Sequence, residues 1–252
     1  MKYKLTLEYD GTSFYGWQKQ KDKYTVQGVI EECLEKIYGI PIKVVGQGRI
    51  DRGAHALAQT AHFVAPSKLL PVNIRKALNS LLPSEVRIIE VEEVDEGFHA
   101  RYSAISRAYL YLVTTEEVPV FLRNYIFHYP YTLDVEKMRE ASRFLLGEHD
   151  FTSFSQADEE RRKVRKILKL EIEEREKLIL PWCEYPIKNI RFEIEANAFL
   201  RKMVRNIVGT LLEVGREKIL VSRVAEILEG KDRTLAGPAV PAHALFLLRV
   251  NY

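Results

Sequence analysis

The chain has 252 residues, enough for one large domain or two of medium size. Its hydrophobic content of 46% is ordinary for a globular protein, and no apolar stretch approaches the roughly 20 residues that cross a membrane. The formal net charge is only +3, and the two cysteines, without a Cys-x-x-Cys or His-Glu-x-x-His pattern, argue against both a disulfide framework and a structural zinc site.

The first half of the chain is predicted to mix strands and helices. Its N-terminus alternates polar and apolar residues, which indicates a half-buried strand and not a signal peptide, so we expect a cytoplasmic protein. The patterns predict strands over residues 3–9, 42–45, 59–64 and 86–94, and helices from Thr25 to about Tyr38 and from Pro71 to Leu82.

The second half repeats this plan loosely. The patterns predict strands over residues 107–113, 168–172, 190–194 and 245–250, and helices over 134–146, 199–214 and 222–228. Strands and helices do not alternate regularly, which favours an α+β fold with antiparallel or mixed sheets. We expect two α+β domains, residues 1–105 with a glycine-rich loop and residues 106–252 with most of the basic groups.

The glycine-rich loop covers residues 46–55, Gly-Gln-Gly-Arg-Ile-Asp-Arg-Gly-Ala-His. Asp51 lies between Arg49 and Arg52, and neighbouring arginines favour the charged form of a carboxylate. Glycines allow sharp bends and the close approach of a large ligand. Asp51 is therefore a candidate nucleophile toward an anionic substrate, although most such strings are turns with solvated ion pairs.

Six strings resemble the TruA family of tRNA pseudouridine synthases. Residues 48–56 resemble the catalytic motif of the family, which usually runs Gly-Arg-Thr-Asp-x-Gly-Val-His. The other strings occupy residues 8–18, 98–111, 147–154, 197–206 and 236–242. One such string is weak evidence for the family, but six strings in the family's order are a specific signature of it. Ile50, Ala54 and Ala244 depart from the usual residues, which bears on substrate preference.

The resemblance implies the pseudouridine synthase fold, with two similar halves of mainly antiparallel mixed sheets, flanking helices and an active-site cleft between the halves. It implies isomerisation of uridines 38, 39 and 40 in the anticodon stem-loop of tRNA, with the target base flipped out of the stack. It further implies a homodimer that needs neither a cofactor nor a metal ion. Arg52 occupies a variable position of the motif.

The resemblance also assigns roles to single residues. Asp51 is the nucleophile, and its attack on either ribose C1′ or uracil C6 is possible. Tyr109 stacks on the base and is a candidate for removing the C5 proton, against the alternative of a cross-strand pair. Arg205 pairs with Asp51, and Arg49 contacts the substrate or ejects the base. Leu245 packs on the uracil, unless it is a core leucine.

Basic residues form two groups that could contact the RNA backbone. The candidates are Arg161, Arg162, Lys163, Arg165, Lys166, Arg201 and Lys202. The alternative is a solvated charged face.

Two other functions stay open at this point. A non-catalytic RNA-binding protein would have little reason to keep Arg49, Asp51, Tyr109 and Arg205 together. A hydrolase using Asp51 with His55 or His62 would lack the second carboxylate of glycosidases.

Overall fold

The computed structural model describes residues 1–156, 163–181 and 183–252, and the chain divides into two compact units. The first unit contains Met1–Ile105 and Phe246–Tyr252, and the second contains Ser106–Leu245. The sequence prediction assigned residues 246–252 to the second domain. They belong to the first unit because the last strand pairs in parallel with a strand there, with Phe246 opposite His55.

The first unit has a sheet with the strand order β4-β1-β3-β12, and β2 also pairs with β3. The odd-numbered residues of β1 from Tyr3 to Tyr9 are buried on one face, as their alternation predicted. The elements of this unit are β1 (Lys2–Tyr9), α1 (Val26–Tyr38), β2 (Val44–Gly46), β3 (His55–Val64), α2 (Pro71–Leu81), β4 (Val86–Val94) and β12 (Leu245–Asn251), whose first residue, Leu245, is the last of the second unit.

The second unit has a sheet with the strand order β5-β11-β8-β7, and a short β6 lies parallel to β5. Two further strands form a separate hairpin. The elements are β5 (Ser106–Thr114), β6 (Phe127–His128), α3 (Val135–Ser142), β7 (Gly147–Asp150), β8 (Val164–Arg175), β9 (Leu178–Leu180), β10 (Cys183–Tyr185), β11 (Asn189–Ala196), α4 (Met203–Gly215) and α5 (Arg223–Gly230). The predicted α+β class, with mainly antiparallel sheets flanked by helices, is confirmed.

Local chemistry explains where several elements begin. The Thr25 hydroxyl accepts a hydrogen bond from the Gly28 N–H at 3.3 Å and caps α1. β3 begins at His55, four residues before the predicted start, because its alanine-rich beginning hides the alternation. α4 begins at Met203 and not near residue 199, because Lys202 has a left-handed backbone with a φ of 61°.

No helix among the described residues is both long enough and apolar enough to span a bilayer.

His62 on β3 makes the stability of the first unit depend on pH. Its Nδ1 accepts a hydrogen bond from the Ala100 N–H at 3.1 Å. Burial, with smaller effects of the His99 and Lys2 charges, lowers the pKa of His62 from 6.5 to about 4. Between these two values the unfolded chain binds more protons than the folded chain, so acid favours unfolding in this window.

We expect the free energy of unfolding to fall by up to about 3 kcal/mol as the pH drops from about 6.5 to about 4. Urea titrations of wild type and His62→Asn at several pH values measure this. Asparagine keeps an acceptor for the Ala100 N–H but does not titrate, so its slope in this window should be shallower. His128→Gln, at an exposed histidine, is the control. Equal slopes for His62→Asn and wild type would contradict the assignment.

Candidate active site

The loop with Asp51 connects β2 to β3 and is held at both ends. The Gln47 N–H donates to the Thr60 carbonyl at 2.9 Å, and the Ala54 N–H donates to the Asp51 carbonyl at 3.2 Å. Gly53 closes this turn with a φ of 78°, in the left-handed region that glycine adopts easily. Asp51 is half-buried and Arg49 is exposed. The fold therefore presents the carboxylate on a short, hydrogen-bonded turn.

The N-terminal string at residues 8–18 packs directly against this turn. A Cβ added at Gly11 would overlap the Ala54 carbonyl, and one added at Gly16 would lie 2.6 Å from the Ile50 carbonyl oxygen. The Trp17 N–H donates to that same oxygen at 3.2 Å. Two of the strings that resemble the family thus form one local structure that fixes the backbone on either side of Asp51.

The three departures from the family motif lie in the packed interior of their units. Ile50, Ala54 and Ala244 are all buried. The Ala54 carbonyl lies against Gly11, and the Ala244 carbonyl accepts from the Leu112 N–H at 3.2 Å. The three departures are therefore buried packing positions, and the motif residues Arg49, Asp51 and Gly53 are retained.

His55, at the start of β3, has a structural position. Its ring is 2% exposed and stacks on Phe246 with the centroids 4.8 Å apart. Its Nδ1 lies 3.0 Å from the Gly11 nitrogen and 3.1 Å from an Asp10 carboxylate oxygen. Both partners belong to the chain directly after β1, so the ring connects that segment to the start of β3. His62 bonds to Ala100, so both histidines of the hydrolase alternative are engaged with structural partners.

In the second unit, Tyr109 lies on β5, opposite Ile194 of β11. It is 8% exposed, and its ring is perpendicular to that of Phe199 at a centroid distance of 5.1 Å. Tyr111 shares its face of the strand, and its hydroxyl donates to the Pro241 carbonyl at 2.8 Å. The two tyrosines that look equivalent in the sequence therefore have different surroundings: the Tyr111 hydroxyl bonds to a backbone carbonyl, and the Tyr109 ring packs edge-on against Phe199.

Arg205 lies in the first turn of α4 beside the same tyrosine. Burial raises the pKa of Tyr111 well above its usual value, and the Arg205 charge opposes that effect. The Arg205 Nε donates to the Val240 carbonyl at 2.7 Å, and the Val240 N–H donates to the Arg205 carbonyl at 3.2 Å. The guanidinium is therefore oriented by the chain that follows Gly237.

The string at residues 236–242 is fixed on α4 through small residues. A Cβ added at Gly209 would overlap the Pro238 carbonyl, and the Gly237 N–H donates to the Thr210 hydroxyl at 3.0 Å. Leu245, which follows this segment, is buried, and its N–H donates to the Ala242 carbonyl at 3.0 Å. The segment is thus bound to α4 at Thr210 through Gly237 and at Arg205 through Val240, and it leads on to Leu245.

The predicted site residues divide between the units. Arg49 and Asp51 belong to the first unit, and Tyr109, Arg205 and Leu245 belong to the second. The pairing of Asp51 with Arg205 stays a prediction.

The basic candidates of the second unit come from two segments that the fold joins. The Lys166 N–H donates to the Asn197 side-chain oxygen at 3.0 Å, and the Asn197 N–H donates to the Lys166 carbonyl at 3.1 Å. Lys166 and Arg201 are exposed, whereas Lys163, Arg165 and Lys202 are half-buried. Arg161 and Arg162, the remaining candidates, lie outside the described residues.

The sequence analysis missed one group of side chains beside Asp51. Arg52 lies over the ring of Tyr15, and Lys23 and Tyr24 belong to the same loop region. The signal was present as aromatic and basic residues interleaved between positions 14 and 24.

Within the described part of the chain, no three or more His, Cys, Asp and Glu side chains are grouped as metal ligands.

Comparisons with known proteins agree with the family resemblance of the six sequence strings. A family model described as tRNA pseudouridine synthase matches residues 6–103 and 141–252. A protein named tRNA pseudouridine synthase A from Thermodesulfovibrio yellowstonii is 40% identical over 250 residues, which cover 99% of this chain and 98% of that protein. Proteins of the same name from Caldicellulosiruptor saccharolyticus and Bacillus pumilus are 42% and 43% identical, and each alignment covers at least 98% of both chains. The chain therefore belongs to the TruA family of tRNA pseudouridine synthases.

Proposed function

We propose that this enzyme converts uridine to pseudouridine at positions 38, 39 and 40 of the tRNA anticodon stem-loop, with Asp51 as nucleophile. The observation that carries the proposal is the hydrogen-bonded, closely packed turn that presents Asp51 within the family's catalytic motif. The net reaction breaks the N1–C1′ bond, forms a C5–C1′ bond, removes the proton from C5 and leaves one on N1. Because reactant and product are isomers, no oxidant, reductant or group donor is needed.

Asp51 can act by two routes that use the same carboxylate. Attack on ribose C1′ displaces uracil from the sugar, after which the base turns and bonds through C5. Attack on uracil C6 holds the base covalently while the glycosidic bond changes. In both routes the carboxylate is released at the end, so Asp51 is regenerated.

Tyr109 and Arg205 are proposed to complete the site from the second unit. The Tyr109 ring, held edge-on by Phe199, offers a face on which the uracil can stack, and its phenol is a candidate acceptor for the C5 proton. Arg205, oriented by Val240, is proposed to pair with the Asp51 carboxylate. Leu245 is proposed to pack on the uracil, and Arg49 to contact the RNA or eject the base.

A uridine in an RNA stem must leave the base stack before it can react, which costs a few kcal/mol. Contacts with phosphates on either side offset that cost without reading the sequence. The exposed Lys166 and Arg201 are the best supported candidates for such contacts, since hydrogen bonds to Asn197 and Gln156 hold the backbones that carry them. Shape-based recognition also suits an enzyme that modifies three adjacent positions.

Neutralising Lys166 and Arg201 together, as Lys166→Gln with Arg201→Gln, should weaken tRNA binding. The slope of log Kobs against log salt concentration should become shallower by about 1.4 to 1.8, since each lost phosphate contact contributes about 0.7 to 0.9. Filter-binding titrations at several salt concentrations measure the slope. Lys177→Gln with Lys188→Gln, both exposed, is the matched control. An unaltered slope in the first variant would show that Lys166 and Arg201 belong to a solvated charged face and do not contact phosphates.

We also propose a cytoplasmic homodimer in which each tRNA contacts both subunits, in keeping with the family. Light scattering on the purified protein should give twice the 29.2 kDa mass of the chain. A monomeric mass at the concentration of the activity assay would contradict the dimer and leave the chemistry of Asp51 untouched.

The proposed positions can be tested one at a time. Three tRNA transcripts, each with a single C5-tritiated uridine in the anticodon stem-loop at position 38, 39 or 40, report the loss of the C5 proton as released tritium. We expect release from all three. Release from none of them would refute the proposed positions, and release from only one or two would narrow the specificity.

A further inference from the structure

Tyr24 presents a preformed aromatic surface in the first unit. Its ring lies almost parallel to that of Phe14, with the centroids 4.6 Å apart and an interplanar angle of 12°. Phe14 is only 1% exposed, whereas Tyr24 is 48% exposed. One face of the Tyr24 ring is therefore covered by a buried partner, and the exposed 48% belongs to the rest of the residue.

Tyr15 lies beside it and carries two cations. The Lys23 ammonium and the Arg52 guanidinium carbon each lie 4.8 Å from the centroid of the Tyr15 ring. Cations over an aromatic face are attracted to it, by about 0.5–1 kcal/mol at exposed sites, so the ring favours this placement of the two side chains. Tyr15 is itself 38% exposed. The surface thus combines aromatic area with positive charge, the combination that binds single-stranded nucleic acid.

This surface is tied to the backbone around Asp51. The Tyr15 N–H donates to the Tyr24 carbonyl at 2.7 Å, and the Trp17 N–H donates to the Ile50 carbonyl at 3.2 Å. Arg52 directly follows Asp51 in the chain, and adjacent Cα atoms are about 3.8 Å apart. The aromatic surface and the Asp51 turn are therefore parts of one hydrogen-bonded structure within the first unit.

The Tyr24 phenol carries no negative charge that would repel an anionic ligand. Burial, with smaller effects of the Glu85 and Glu32 carboxylates, raises the pKa of Tyr24. The ring is neutral at physiological pH, and the positive charge of the surface comes from Lys23 and Arg52.

We propose that this surface binds a nucleotide that flanks the target uridine in the RNA. The surface is here called the Tyr24 platform and consists of Phe14, Tyr15, Lys23, Tyr24 and Arg52. The base stacks on Tyr24, and Lys23 and Arg52 contact the adjoining phosphate. This inference rests on the proposed function of Asp51 and extends it. When the target base leaves the stack, its neighbour loses a stacking partner, and the platform replaces that partner. Every base has a π-face, so the contact tolerates different flanking sequences.

A photocrosslink tests the contact in the unaltered protein. Transcripts of tRNA carry 5-iodouridine, which crosslinks to aromatic side chains stacked on it, on the 5′ or the 3′ side of the target uridine. We expect one of the two positions to crosslink to Tyr24, identified by mass spectrometry of the labelled peptide. No crosslink to Tyr24 from either position would overturn the proposal.

Variants give an independent measurement. Tyr24→Leu should raise KM for tRNA about 5- to 100-fold, whereas Tyr24→Phe, which keeps the stacking ring, should stay close to wild type. Tyr185→Leu, at an exposed tyrosine of β10, is the matched control and should also stay close to wild type. An unchanged KM in Tyr24→Leu would overturn the platform. The same tritium assay on the wild type separates the two proposals, because absent turnover refutes the function, and normal turnover with unchanged Tyr24→Leu refutes only the platform.

Discussion

Asp51→Asn is expected to reduce pseudouridine formation at least about 1,000-fold, which corresponds to about 4 kcal/mol of transition-state stabilisation. The amide has nearly the shape of the carboxylate but is a very poor nucleophile, so neither attack on C1′ nor attack on C6 can proceed. Tritium release from C5-labelled tRNA under single-turnover conditions measures the loss.

The affinity of Asp51→Asn for tRNA should stay similar to that of the wild type, since phosphate contacts and not this carboxylate supply most of the binding energy. Asp95→Asn, at an exposed aspartate of the same unit, is the matched control and should keep full activity. Near-normal turnover in Asp51→Asn would show that Asp51 is not the nucleophile. A parallel loss of affinity and turnover would give Asp51 a binding role.

Tyr109→Phe is expected to lower the single-turnover rate about 100- to 1,000-fold, within the range that a positioned acid or base contributes. Phenylalanine keeps the ring against Phe199 and therefore keeps the stacking face, but it has no group that can accept the C5 proton. Unchanged affinity with a reduced rate would identify the phenol as the reacting group.

Tyr111→Phe is the matched control for Tyr109→Phe, because both rings lie on the same face of β5. Loss of the hydroxyl that donates to Pro241 should lower the free energy of unfolding by about 1 kcal/mol and leave the chemical step unchanged. An unchanged rate in Tyr109→Phe would reduce Tyr109 to a stacking surface.

Much of the fold could be predicted from local sequence patterns. The alternation in residues 86–94 predicted a strand with the observed bounds, and that in residues 3–9 predicted β1 except for Lys2 at its start. The helix after Thr25 begins where its cap predicts. The start of β3 could not be found in this way, because Ala56, Leu57 and Ala58 show no alternation of polar and apolar residues. The membership of residues 246–252 also escaped prediction, because it depends on pairing with a strand about 190 residues earlier in the chain.

The candidate site, too, could be predicted from the sequence only in part. Asp51 and its motif were visible in the sequence, and so was the resemblance that assigns Tyr109 and Arg205. The packing of Gly11 and Gly16 against the Asp51 turn was not visible, since it depends on close contact between segments about 40 residues apart. The stack of Tyr24 on Phe14, within one loop region, was missed for a different reason. A loop pattern cannot show which face of a ring is covered.

Mapping pseudouridine at nucleotide resolution in unmodified tRNA is the most direct test of the central claim. After incubation with the wild-type protein, we predict pseudouridine at positions 38, 39 and 40 wherever uridine occurs there. The same tRNA incubated with Asp51→Asn should contain none. Pseudouridine in the Asp51→Asn sample, or its absence from the wild-type sample at all three positions, would contradict the account.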